Sequence, residues 1–297
     1  MKIEFPREEE IKKMFKKACE KLNIDFKEAK KEIKNLVIYE MTDGNRTSID
    51  LKGKGWAGYF DGGIFCLRFI HFAKILGIKN LYINVIHGRH RFRENYPDIY
   101  KALMKLVPVY EKYARENKEI KWIFVGDYKK PIKPEGKKGI DLTEFLEKLE
   151  KETAKRKGMR VIFMLNYSTR WLETEGKEKW ERLPEANVIL RHCKGYVNGD
   201  MWLPGKLDRN SFMYVQNGSS SQNFTDQQIV YLIAIALRSY LLNKGTHYFK
   251  TYTHSEIELI RKKREKELSF IHRTLEKSEF LKRAIIFSKF GPEIYEF

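Results

Sequence analysis

Cysteine is scarce. The 297 residues hold three, Cys19, Cys66 and Cys193, with no paired spacing among them. That excludes a disulfide framework and a cysteine-rich zinc site, and it fits a reducing, cytoplasmic setting. No apolar run approaches the roughly 20 residues that a bilayer-spanning helix needs. The opening stretch MKIEFPREEEIKKMFKK is charged throughout and has no apolar signal region. Acids are in the minority, 40 Asp and Glu against 58 Lys and Arg, which leaves a formal net charge of +18. An excess of that size points to an anionic partner: nucleic acid, an anionic membrane surface touched peripherally, or a phosphorylated small molecule. No nucleic-acid-binding motif accompanies the charge, which leaves nucleic acid the weakest of the three.

What is present reads as alternating strands and helices. Hydrophobic residues make up 42% of the chain, enough for a sizeable core. Helical periodicity covers Glu8–Leu22 and Phe26–Ile33, an N-terminal helical extension over residues 1–34. Strands are expected at Leu36–Glu40, Asn80–Ile86, Ile120–Gly126, Arg160–Leu165, Asn187–Arg191 and Ser211–Gln216. Helices are expected between them at Gly63–Leu76, Pro97–Asn117 and Leu142–Arg156, then at Asp226–Leu242 and Ser255–Glu276. The last belongs to a C-terminal helical extension over residues 253–297. Strands alternating with helices of this length predict an α/β fold, a central, mainly parallel six-stranded sheet flanked by helices. No linker or repeat forces a second domain.

In such a sheet, ligands collect at the carboxyl ends of the strands. The residues there are strongly cationic. Asp43-Gly44-Asn45-Arg46 follows the first strand and HGRHRFR, His87 to Arg93, the second. GDYKK, Gly126 to Lys130, follows the third and NYSTRW, Asn166 to Trp171, the fourth. Arg191 and His192 end the fifth, and Asp208-Arg209-Asn210 precedes the sixth. Arginine forks and the backbone N–H groups of glycine turns suit a diphosphate. Plainer readings stand beside this one. Asp43 to Asn45 also makes a good tight turn. His87 and His90 could pair on a metal, but only Glu94 is near to assist. RKKREKE, from Arg261, reads as a solvated helix face. Ile64–Leu76 and Ile99–Val107 read by default as core.

From about Leu36 to Asp226 the chain resembles the cis-prenyltransferase superfamily, the undecaprenyl diphosphate synthases and their relatives. The family's Asp-Gly-Asn-Gly-Arg-Trp and Ala-Gly-His correspond to Asp43-Gly44-Asn45-Arg46-Thr47-Ser48 and Ala57-Gly58-Tyr59. Its Ser-x-x-Asn-Trp-x-Arg falls on His87, His90, Arg91 and Arg93. Its Gly-Asp matches Gly126-Asp127, its Asn-Tyr-Gly-Gly-Arg matches Asn166 to Arg170, and its Phe-Thr-Asp matches Phe224-Thr225-Asp226. A late Arg matches Arg191. The tuberculosinyl adenosine transferases, a divergent branch, resemble it further through Gly126–Lys130, Arg170-Trp171-Leu172-Glu173-Thr174 and a Tyr near Tyr59.

The resemblance implies a single cis-prenyltransferase-like domain, commonly a homodimer, and a transferase or lyase acting on an allylic prenyl diphosphate. Asp43 would be the central catalytic acid and the Mg²⁺ ligand, with Tyr59 in the place of the family's His. Gly44, Asn45, Arg46, His87, His90, Arg93, Arg191 and Arg209 would bind the substrate. The family's second diphosphate site, for isopentenyl diphosphate, is degraded: its other Arg falls on Asp208, with Arg209 adjacent. Its Ser falls on Asn210 and its metal-sharing Glu on Ser221. An acceptor other than isopentenyl diphosphate is therefore expected. A non-catalytic prenyl-phosphate-binding subunit on the same fold is the alternative.

Overall fold

The structure is a computed structural model. It describes residues 3–45, 55–87, 90, 93–129, 142–193, 201–208, 213–217, 220–244, 253–259, 261–262, 265, 269, 283–288 and 291–296. Eight strands among these form one sheet: β1 Val37–Met41, β2 Asn80–His87, β3 Lys121–Val125, β4 Arg160–Tyr167, β5 Val188–His192, β6 Met213–Asn217, β7 Arg283–Ser288 and β8 Gly291–Glu296. Their order is β3-β4-β2-β1-β5-β6-β7-β8. The first six are parallel throughout, so the expected six-stranded parallel sheet is present. β7 and β8 add an antiparallel hairpin at the β6 edge. This corrects the helical C-terminal extension expected over 253–297. Residues 254–259 are helical, and most of the rest of the expected Ser255–Glu276 helix lies outside the described residues. The hairpin follows from strand alternation: Ala284 and Ile286 are fully buried on one face of β7.

The helices are α1 Glu8–Lys21, α2 Phe26–Glu32, α3 Gly55–Leu76, α4 Tyr96–Glu116, α5 Thr143–Thr153, the short α6 Thr169–Trp171 and α7 Lys177–Glu181, and α8 Asp226–Asn243. α3 packs against α1, α4 and α8 and is apolar nearly all round, as a helix buried between neighbours should be. It begins eight residues earlier than the periodicity suggests, because Gly58, Gly62 and Gly63 lie inside the helix. Two of these glycines are needed for close approach. A Cβ on Gly63 would come within 2.3 Å of Leu106 on α4, and one on Gly62 within 2.5 Å of Asn45 Oδ1. The penalty of about 1 kcal/mol per helical glycine is offset by that packing.

Strand alternation splits the core. Leu36, Ile38, Leu81, Ile83, Val188 and Leu190 face α1, α3, α4 and α8. Val37, Tyr39, Met41, Tyr82 and Ile189 face the other way, against Trp171, Trp180 and Met201. Residues 201–206 are fastened over this second face by donors beneath them. Tyr39 Oη donates to the Met201 carbonyl at 2.8 Å, Tyr167 Oη to Trp202 at 2.7 Å, and Trp180 Nε1 to Pro204 at 2.8 Å. Burial pushes the Tyr39 and Tyr167 phenols well above their ordinary range, so both stay protonated donors. Among the described residues no helix is long and apolar enough to cross a membrane.

Candidate active site

β1 is the central strand of the site, with β2 on one side and β5 on the other. Asp43 lies just beyond its carboxyl end, and Arg191 is on β5, where its neighbour in register is Met41. Arg191 Nη2 meets Asp43 Oδ2 at 2.8 Å. The guanidinium is 1% exposed and the Asp43 side chain 28%, so the acid reaches the surface while its partner stays beneath it. Asp43 Oδ1 accepts the Gly44 N–H at 2.7 Å. Charge-assisted bonds on both oxygens hold the carboxylate in one orientation.

The turn is docked on the segment before α8. Ser221 donates twice to the Asp43 carbonyl, from its N–H and from its hydroxyl, each at 3.1 Å. Ser220 Oγ donates to the Gly44 carbonyl at 3.2 Å, and Gln222 Nε2 reaches the Asn45 carbonyl at 3.5 Å. Gly44 has φ +90°, and a Cβ there would lie 2.4 Å from Ser220 Oγ and 2.7 Å from Ser220 Cα. The turn reading and the site reading therefore describe one object: a tight turn whose side chains are aimed by a distant segment. Ser220, Ser221 and Cys193, whose Sγ is 3.6 Å from Ser220 Oγ, escaped the sequence reading as parts of this site. The resemblance marks position 221 only as a lost acid.

Asn45 and Tyr59 line one small, mostly apolar cavity, the mouth, together with Thr42, Gly62, Cys66 and Asn84. Tyr59 Oη accepts from Asn95 Nδ2 at 2.8 Å. Burial, its largest influence, pushes the Cys66 thiol up to about 12, so it is a neutral wall group rather than a thiolate nucleophile. Gly63, Val85, Leu103 and Leu106 then belong both to the mouth and to a second chamber. That chamber runs between α4, α5 and the sheet to a wall formed by Trp122, Phe124 and Phe163. Tyr110 Oη donates to the Gly63 carbonyl at 2.7 Å and tethers α4 to α3 along the way. The segments expected to be core are core, and two of their buried residues, Leu103 and Leu106, also line these cavities.

Beneath the turn lies a buried pair of which only His192 was expected at the sheet edge. Glu40 on β1 and His192 on β5 are wholly buried, with Oε1 and Nε2 2.8 Å apart. The edges of Phe65 and Phe224 close over His192, at 5.4 and 5.5 Å between centroids. Phe224 opens the Phe-Thr-Asp stretch. Thr225 caps α8 by accepting from Gln228 N, and Asp226 pairs with Arg68 of α3. These contacts hold the α8 segment against α3 and so fix the serines that grip Asp43.

Of the remaining candidates, His90 and Arg93 lie between β2 and α4, where the Arg93 N–H donates to the His90 carbonyl at 3.1 Å. His87 ends β2 in register with Tyr167 of β4. Arg46 and Arg209 lie outside the described residues. The Gly126-Asp127 and Asn166-Tyr167 stretches meet at the edge of β3 and β4, where Asn166 Nδ2 donates to the Asp127 carbonyl at 3.0 Å. Among the described residues no cluster of three His, Cys, Asp or Glu could hold a metal ion. Both Asp43 oxygens already face protein donors, and the position of the second expected acid is Ser221. This donor set does not fit a Mg²⁺ site built on two carboxylates.

No family model matches the chain, and no curated protein matches it. A comparison with solved structures does find a likeness. The crystal structure of lavandulyl diphosphate synthase from Lavandula x intermedia, in complex with dimethylallyl diphosphate, superposes with a TM-score of 0.55. Identity is 15%, and the match covers 69% of this chain and 96% of that one. The fold is thus the cis-prenyltransferase-like α/β fold, a mostly parallel sheet flanked by helices.

Proposed function

We propose that this chain binds an allylic prenyl diphosphate, with its head at the carboxyl edge of β1 and β2 and its tail in the channel between α3 and α4. It then passes the prenyl group to an acceptor other than isopentenyl diphosphate. The observation that carries this reading is the juxtaposition of a rigid polar turn and an apolar cavity, with Asn45 of the turn and Tyr59 of α3 both lining it. An amphiphile with an anionic head and a hydrocarbon tail is the ligand such a mouth selects. The likeness to a prenyl diphosphate synthase supports the same class of ligand.

Each residue's part follows from its position. Asn45, His90 and Arg93, with Arg46 beside them in sequence, supply donors for the diphosphate oxygens. The C–O bond to the allylic carbon breaks and its electron pair leaves with the diphosphate, whose charge those donors stabilise. The allylic cation forms at the mouth, where the Asp43 carboxylate, held by Arg191, offers negative charge. The face of Tyr59 offers a π surface. The acceptor's lone pair then closes the new bond, and its proton leaves with the diphosphate or to water. In this scheme Arg191 acts on Asp43 rather than on substrate, and the described residues route no step through a divalent cation.

A second reading keeps the binding and drops the chemistry. The buried Arg191–Asp43 pair favours it, since each charge already satisfies the other. Incubation with geranyl, farnesyl and geranylgeranyl diphosphates separates the two. Transfer or lysis releases diphosphate and leaves products whose prenyl part keeps the donor's carbon count. A pure binder retains the intact donor. Labelled isopentenyl diphosphate added with an allylic primer should give no ladder of longer prenyl diphosphates. A ladder would overturn the choice of acceptor.

A further inference from the structure

We propose that the outer face of α3 and α4, centred on Trp56, docks on an anionic lipid bilayer. Trp56 stands in the first turn of α3, partly exposed, with its indole edge-on to Phe60 at 6.2 Å. Two ammonium groups of α4 lie over that indole, Lys105 Nζ at 5.0 Å and Lys101 Nζ at 5.3 Å from the ring centroid. Met104, between them in sequence, is 48% exposed. Lys101, Met104 and Lys105 share one face of α4 by their three- and four-residue spacing. Ala102, Leu103 and Leu106 turn the other way, buried and lining the channel.

This is the composition of a membrane interface. An indole settles at headgroup depth, and lysine stems lie along apolar surface while their ammonium groups reach for phosphate. The exposed methionine adds an apolar centre. The net charge of +18 draws the whole molecule toward an anionic surface, and two lysines on the patch choose which face arrives. One acid, Asp98, lies on the same face, three residues before Lys101 and against Gly55, so the patch keeps a net positive charge of one from these three side chains. Nucleic acid fits less well, because no nucleic-acid-binding motif accompanies the charge. The location also has a use. The patch is the outside of the wall whose inside is the channel, so a prenyl tail dissolved in the bilayer would enter between α3 and α4 without crossing water. That use rests on the function proposed above; the docking itself does not.

Co-sedimentation of the full chain with vesicles tests it. Wild-type protein should bind phosphatidylcholine–phosphatidylglycerol vesicles at least about tenfold more tightly than phosphatidylcholine alone. The Lys101→Ala/Lys105→Ala protein should lose about fivefold per lysine, roughly 25-fold in all, on anionic vesicles. Met104→Asp should lose about tenfold or more on the same vesicles by placing an acid in the apolar centre. Lys148→Ala/Lys151→Ala removes the same charge from exposed positions on α5 and should stay within about twofold of wild type. Equal losses in both lysine pairs would show that total charge, not this face, binds the lipid, and would overturn the proposal. So would equal binding to both vesicle types, or none. Diphosphate release in solution without vesicle binding would sink the docking surface alone; vesicle binding without any prenyl diphosphate binding would sink the proposed function alone.

Discussion

At the scale of single residues the site depends on Gly44. Its φ of +90° and the 2.7 Å approach of a would-be Cβ to Ser220 Cα leave no room for a side chain, and backbone cannot move aside as a flexible side chain can. Gly44→Ala should therefore destabilise the protein by more than about 1 kcal/mol, read from chemical denaturation, because alanine gains nothing where φ is positive. It should also release Asp43 from the serines and lower diphosphate release. A Gly44→Ala protein of wild-type stability would mean that the turn is not docked as described. Arg191 sets a further condition on mutagenesis. Removing Asp43 outright, as Asp43→Ala does, takes the carboxylate from a guanidinium whose side chain is 1% exposed, and breaking a buried charge pair is strongly destabilising. Asp43→Asn keeps an oxygen acceptor facing Arg191 and is the cleaner substitution.

At the scale of elements the channel is a product of α3 and α4. Leu103 lies where its mouth joins the second chamber. Leu103→Trp should block the passage and shift donor preference toward the shortest prenyl diphosphate, seen as a fall in kcat/KM for geranylgeranyl relative to geranyl diphosphate. An unchanged ratio would place the tail elsewhere. Much of this level was legible in the sequence. Six apolar runs separated by helix-length amphipathic stretches indicated the parallel sheet; the rule that ligands gather at carboxyl ends pointed to Asp43, Gly44 and Asn45, and the family resemblance to Tyr59. The start of α3 was not legible, because Gly58, Gly62 and Gly63 read locally as loop, and only the distant neighbours Asn45 and Leu106 account for Gly62 and Gly63. The β7–β8 hairpin was hidden behind a long charged helical pattern. The grip of Ser220 and Ser221 on the turn joins residues more than 170 positions apart, and no local period signals such a contact.

At the scale of the whole molecule, acid should weaken the packing of the N-terminal segment on α3. His71 on α3 is packed against Phe5, with ring centroids 4.4 Å apart, and its Nδ1 is 3.1 Å from Tyr113 Oη. Burial, with Lys74 nearby, lowers its pKa from 6.5 to about 4. The unfolded chain therefore takes up a proton that the folded chain refuses. This contribution to stability is whole above pH 6.5, declines as pH falls toward 4, and levels off below that. His71→Phe should flatten the fall in Tm across that window; an equally steep fall in the variant would assign the acid sensitivity to other groups.

The central claim is that a prenyl diphosphate is ionised at Asp43, and the most direct measurement is diphosphate release by wild-type and Asp43→Asn proteins of matched stability. With a saturating allylic donor, the wild type should release diphosphate and the variant should be slower by about a hundredfold or more, the scale of losing a key electrostatic group. Its donor affinity should stay within about threefold, since Asp43 is assigned to the developing cation and not to the phosphate. Equal release from both proteins, or no release by the wild type from any allylic donor, would contradict the account.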